Sequence, residues 1–158
     1  MKTVGRHLVA EFYDCSPSHL DDIAWLRELM LEAAGVIGAS VLGDLFRRFE
    51  PKGVTGVVVI AESHLSLHTW PRDRYAAVDI FTCGQLDPRP GFRRLGDRLE
   101  ASSCRVQETV RGLPHEVDAA RSLLPADVEV ITHRPVITWL KPEAHAVGGV
   151  PRSVNPGH

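Results

Sequence analysis

The chain has no long apolar run, little net charge and few cysteines. None of its stretches approaches the roughly 18 apolar residues that a membrane helix needs. The N-terminus, MKTVGRHLVAEFYD, lacks the apolar stretch and small-residue cleavage site of a signal peptide. A cytoplasmic protein that stays out of the membrane is expected. The formal net charge is only -2, so no electrostatic argument favours nucleic acid as a partner. Three cysteines, Cys15, Cys83 and Cys104, are an odd number without CxxC spacing. That argues against a disulfide framework and against structural zinc. The eight histidines show no HExxH, so no metal is implied. There is no GxGxxG and no internal repeat, which speaks against a dinucleotide-binding fold and against a solenoid.

What is present suits one packed domain: 158 residues, 44% hydrophobic and 24% charged. Residues 4–13 read as a strand. A turn through Pro17 leads to a helix capped by Ser18, with Asp21 and Asp22 in its first turn. Leu20, Ile23, Leu26, Met30 and Ala33 share one face, and Gly35 and Gly38 end it. Residues 39–49 form a strand interrupted by Gly43. The β-branched run 54–60 reads as a strand buried on both faces. Strands at 64–70 and 75–82 follow. Asp87 and Pro90 start a second helix that runs to about Ala101, with Phe92, Leu95 and Leu99 inward. A strand follows at 105–110, and residues 128–140 offer one or two edge strands. Successive strands with two inserted helices predict an α+β fold: a two-layer sandwich of a largely antiparallel sheet with helices on one face. Residues 1–140 read as a single domain and 141–158, rich in Pro and Gly, as a loose tail.

The stretch AESHLSLHTW, residues 61–70, carries more polar groups than a core strand requires. His64, Ser66 and His68 suit the solvent face of a half-exposed strand. A second reading concerns the Glu62-Ser63 bond. On a strained backbone, a serine hydroxyl can attack its own preceding carbonyl and convert the amide to an ester. A base can then remove the Ser63 α-proton, the ester leaves by β-elimination, and residue 63 becomes a pyruvoyl group. Strand alternation puts Ser63 and His68 on opposite faces, so the strand entry must bend if they cooperate.

Three blocks, GRHLVAEFYDC (5–15), RFEPKGVTGVVVIAESHLSLHTWP (48–71) and YAAVDIFTCG (75–84), resemble the bacterial S-adenosylmethionine decarboxylase proenzymes. The resemblance spans about the first 84 residues. It implies cleavage between Glu62 and Ser63, with Ser63 becoming a pyruvoyl group that forms a Schiff base, without metal or pyridoxal phosphate. It implies that His68 takes the α-proton, that Thr55 stands where a serine supports processing, and that Cys83 returns a proton to the substrate. Phe49 aligns with an aromatic that stacks on adenine, and Glu11, in a matched block, reads either as a site-lining acid or as a solvated strand-end residue. The implied product is the aminopropyl donor for spermidine synthesis. The implied partners are a small-molecule substrate and the chain's own cleaved α and β chains, assembled at least as a dimer whose protomers share active sites.

The sequence also departs from that pattern. Arg72 stands where the family carries a glutamate that accepts from the ribose hydroxyls, and Arg47 stands where it often has histidine. Arginine only donates, so Asp73 is the nearest replacement acceptor. An alternative is therefore an ornithine or arginine decarboxylase on the same scaffold, with Asp73, Glu11 or a residue of a partner subunit facing the substrate cation. A non-processing regulatory homologue is a third reading, opposed by the presence of Ser63, His68 and Cys83.

Overall fold

Alternating and β-branched segments assemble into one sheet backed by two helices. The computed structural model describes residues 3–113 and 137–140. In chain order it contains β1 (Gly5–Tyr13), α1 (Ile23–Val36), β2 (Val41–Arg48), β3 (Val54–Ile60), β4 (Ser63–Trp70), β5 (Tyr75–Cys83), α2 (Arg89–Arg98), β6 (Ser103–Arg111) and β7 (Ile137–Leu140). The strand order is β2-β3-β4-β5-β1-β6-β7, and every neighbouring pair is antiparallel. The α+β sandwich expected from the sequence is the fold observed. Residues 128–136 and the tail 141–158 lie outside the described residues.

The helices cover one face of the sheet. Leu8, Ala10 and Phe12 of β1, Leu65 and Leu67 of β4, and Val78 and Ile80 of β5 point into that layer. They meet Leu26, Leu29, Met30 and Ala33 of α1 and Leu95 of α2. Each fully buried leucine there contributes about 2–3 kcal/mol by removal from water.

The opposite face has no covering layer among the described residues. That corrects the reading of β3 as buried on both sides. Val54, Val58 and Ile60 are buried, but Thr55 is exposed and Val59 keeps 44% of its surface. Its β-branched residues report strand propensity, and only alternate ones face the helices.

Two boundaries also differ from expectation. α1 begins after Asp22, whose carboxylate accepts from the Trp25 amide at 3.1 Å, so Asp22 is the cap itself. Ser18 instead shares a hydrogen bond with Ser16 at 3.0 Å. α2 stops at Arg98, and Glu100 turns the chain out with a φ of 53°. Gly43 falls at a register shift between β2 and β3, which accounts for the imperfect strand pattern there.

Thr69 shows how β4 is tied to the helical layer. It is fully buried. Its hydroxyl donates to the Leu20 carbonyl at 2.6 Å and accepts from the Val54 amide at 2.9 Å. One side chain thus fixes the loop before α1, the start of β3 and the end of β4.

Candidate active site

The link between β3 and β4 is a two-residue turn, Ala61-Glu62. Such turns are most regular when Gly or Asn takes a positive φ within them. Here neither is present, and the positive φ falls on the next residue, Ser63, at 153°. A residue with a Cβ is strained in that region. The strain takes Ser63 out of strict strand alternation. Its hydroxyl reaches the Nδ1 of its neighbour His64 at 3.2 Å, a contact that adjacent residues on a regular strand do not make.

The carbonyl before Ser63 is also held. The Glu62 oxygen accepts from the Cys83 backbone N–H at 2.8 Å. The Glu62 carboxylate accepts from the Ser40 amide at 3.0 Å. Glu62, Ser63 and Cys83 therefore meet at one end of the sheet, with β4 and β5 paired at Ser63 and Thr82. The Cys83 side chain is only partly buried. Cys15 and Cys104 are buried. Burial pushes the Cys15 thiol up to about 11.

Beyond Ser63, the uncovered face carries a polar cluster. The His7 and His64 rings meet edge to face with centroids 6.4 Å apart. His7 Nε2 lies 3.5 Å from an Asp79 carboxylate oxygen, an ion-pair distance when His7 is protonated. Ser66 donates to Asp79 at 3.0 Å. These contacts, that from His7 foremost, hold the Asp79 carboxyl below its ordinary value. Arg111 stacks on Phe81 at 4.4 Å and contacts His7 Nδ1 at 3.3 Å. Burial first, and then the nearby His7, hold the His64 imidazole below its ordinary value.

The other sequence-predicted residues lie at the far end of the same face. His68 pairs with Thr55 across β3 and β4, and the Thr55 hydroxyl lies 3.1 Å from His68 Nδ1. In the same row, Ala77 of β5, Glu11 of β1 and Arg105 of β6 follow. The Glu11 carboxylate accepts from the Tyr75 hydroxyl. Phe49 meets Trp70 at 5.9 Å, Trp70 stacks on Tyr75 at 5.0 Å, and Tyr75 stacks on Tyr13 at 5.7 Å. An open pocket there is lined by Glu11, Tyr13, Asp73, Tyr75 and Arg105. Arg72 is exposed in the 3-10 turn after β4.

Within one chain these two groups do not meet. His68 lies five positions beyond Ser63 along β4, which the strand rise converts to about 17 Å. Among the described residues no three His, Cys, Asp or Glu side chains converge as metal ligands. No described helix is long and apolar enough to cross a membrane.

Comparison with known proteins follows the same residues. A family model described as S-adenosylmethionine decarboxylase matches residues 6–112. The chain belongs to the S-adenosylmethionine decarboxylase family. A Thermotoga petrophila S-adenosylmethionine decarboxylase proenzyme is 48% identical over 118 residues, covering 74% of this chain and 91% of that protein. The proenzyme of Pseudomonas aeruginosa is 42% identical over 138 residues, 86% of each. The crystal structure of the Aquifex aeolicus adenosylmethionine decarboxylase superposes with a TM-score of 0.65 at 32% identity, covering 72% of this chain and 94% of that one. The resemblance first seen in three blocks thus extends through β6.

Sequence reasoning overlooked His7, Asp79 and the contact of His64 with Ser63. His7 and Asp79 fall within the matched blocks, at odd positions of β1 and β5 that alternate with core residues. That alternation was the available signal.

Proposed function

We propose that the chain is a self-cleaving, pyruvoyl-dependent decarboxylase of S-adenosylmethionine that supplies the aminopropyl donor for spermidine synthesis. The observation that carries the reading is Ser63 at a φ of 153°, beside a Glu62 carbonyl polarised by the Cys83 N–H at 2.8 Å.

The chemistry follows from that arrangement. The Ser63 hydroxyl oxygen adds to the Glu62 carbonyl carbon, and the Cys83 N–H stabilises the resulting oxyanion. The C–N bond then breaks, the nitrogen takes a proton, and an ester replaces the amide. Relief of the strained φ drives this direction. Removal of the Ser63 α-proton by His68, with Thr55 orienting its ring, expels the Glu62 carboxylate. Residue 63 is left as dehydroalanine, which takes up water and loses ammonia. The pyruvoyl group so formed at the new N-terminus supplies an electron sink for loss of the carboxylate of a bound amino acid. The Cys83 thiol, at the same sheet end, returns a proton to the substrate carbon. Phe49 and the aromatic row beside it offer a stacking surface for adenine.

A complete site needs a second copy of the chain. His68 is about 17 Å from Ser63 in its own strand, far beyond proton-transfer reach. The uncovered sheet face carries exposed Val9, Leu45 and Val59 alongside its polar cluster. A two-fold partner on that face brings opposite sheet ends together, so that His68 of the partner subunit serves Ser63.

A second reading is favoured by one feature of the far end. The Glu11 and Asp73 carboxylates share an open pocket, while Arg72 replaces the family's ribose-binding acid. Two acids suit the side-chain cation of ornithine or arginine. The deciding experiment pairs intact mass with carbon dioxide release from S-adenosylmethionine, ornithine and arginine offered separately. Fragments split at Ser63 with release from S-adenosylmethionine are expected. Release only from ornithine or arginine selects the second reading. Ser63→Ala should stay full-length and inactive, and a cleaved Ser63→Ala chain would sink the pyruvoyl assignment.

A further inference from the structure

We propose that His64 is the base that starts the self-cleavage, taking the hydroxyl proton of Ser63 as the oxygen attacks the Glu62 carbonyl. The inference rests on the self-cleavage reading and assigns the first proton transfer, for which that reading names no base.

Three observations carry it. First, Ser63 Oγ lies 3.2 Å from His64 Nδ1, within general-base reach. With the ring proton on Nε2, Nδ1 is the acceptor and the hydroxyl the donor. Second, the contact exists because the φ of 153° swings Ser63 out of alternation, so the same distortion that strains the bond delivers the hydroxyl to the ring. Third, the ring is set among groups that keep it uncharged. It is half-buried, and it faces His7 from β1 and Arg111 from β6, with Asp79 of β5 as the opposing charge. Burial and His7 outweigh Asp79, so the imidazole is held neutral at physiological pH and free to accept a proton.

The step balances without any other reactant. The Oγ–H proton moves to Nδ1 as the Oγ–C bond forms at Glu62. The imidazolium then returns that proton to the Ser63 nitrogen as the C–N bond breaks. The products are an ester at Oγ, a free amine and a regenerated neutral His64. General-base assistance is worth about 10²–10⁴-fold in rate.

The test follows full-length precursor made by cell-free translation, in wild type and in His64→Gln, His64→Ala and His68→Ala. Timed samples are quenched, with and without hydroxylamine, and read by intact mass. Hydroxylamine cuts an ester at residue 62 but not an amide. His68→Ala should accumulate hydroxylamine-labile chain, because its ester forms and stalls. His64→Gln keeps a hydrogen-bond partner for Ser63 but no base, so it should form ester about 10²–10⁴-fold more slowly. In His64→Ala, added imidazole should recover part of the rate. Ester formation in the His68→Ala background should rise with pH through a midpoint below 6.5, the ordinary histidine value. That profile uses a chain with His64 intact, so it stands even if the His64 variants misfold.

A His64→Gln precursor that forms ester at the wild-type rate overturns the assignment. So does a pH profile in the His68→Ala background that is flat across the histidine range. If wild type itself is never cut at Ser63, the self-cleavage reading fails. If wild type is cut and the His64 variants match it, that reading stands and the role of His64 alone falls.

Discussion

On the proposed self-cleavage, the separation of Ser63 and His68 makes processing a test of the proposed pairing of two chains. A base must come within about 3 Å of the proton it removes. The two positions lie five residue steps, about 17 Å, apart along β4, and no rotamer of either side chain spans that gap. Single Ser63→Ala and His68→Ala chains should therefore both remain uncut when folded alone. Co-refolded in equal amounts, random pairing places about half of each variant in mixed dimers. In a mixed dimer, the Ser63 of the His68→Ala chain faces an intact histidine on its partner. The Ser63→Ala chain has no hydroxyl to offer. Intact mass should then show about half of the His68→Ala chain converted to two fragments and none of the Ser63→Ala chain. Conversion should fall on dilution below the dimer's dissociation constant before processing. His68→Ala cut normally on its own would refute the reasoning, as would a mixture that never processes under conditions where wild type does.

The same structure sets further expectations. Thr69→Val keeps shape but orphans the buried Leu20 carbonyl and Val54 amide, so a urea titration should show a loss of about 1–3 kcal/mol. Leu65→Ala, at a fully buried core position of β4, should cost about 2–5 kcal/mol in the same titration. Asp79, whose carboxyl His7 and Ser66 hold low, contributes stability above its unfolded value that is lost as pH falls through the lower folded value. Asp79→Asn should accordingly flatten the acid limb of a stability-versus-pH curve, and an unchanged limb would remove Asp79 from that account. Iodoacetamide at pH 8 should alkylate Cys83 of the native protein well before Cys15, whose buried thiol is raised to about 11, as peptide mass mapping would show.

Much of the sheet was legible because alternation survives in most strands. Leu65 and Leu67 against Ser66 and His68 reported a strand with one covered face before any contact was known. The run 54–60 misled because Val and Ile mark strands whether one face or two are covered, and among the described residues of one chain only one face of β3 is covered. Ser18 and Asp22 are both good caps by type. Which one caps depends on where the Leu20 carbonyl must go to meet Thr69, a contact spanning 49 residues that no local pattern carries. The chemistry of Ser63, His68 and Cys83 was read from resemblance, whereas their division between two sheet ends follows from register alone. His64 was passed over because a histidine on the outward side of a strand is ordinarily a solvated one.

The turn at 61–62 explains why the strain sits where it does. A glycine or asparagine at Ala61 or Glu62 would take the positive φ and leave a relaxed hairpin. A glycine at 63 would accept the φ of 153° without strain but would carry no hydroxyl. The sequence does neither. It denies the turn its usual residues, so that the conformational cost falls on Ser63, whose hydroxyl attacks the preceding carbonyl in the proposed self-cleavage. The Cys83 amide and the Ser40 amide then hold Glu62 on both its carbonyl and its carboxylate, so the strain cannot relax by rotation of that residue. Cutting the bond is the remaining release. On this argument Ala61→Asn together with Glu62→Gly, which makes the turn regular and frees the carboxylate contact, should slow processing with Ser63, His64, His68 and Cys83 all in place. Processing of that double variant at the wild-type rate would mean that the backbone distortion is incidental to the chemistry.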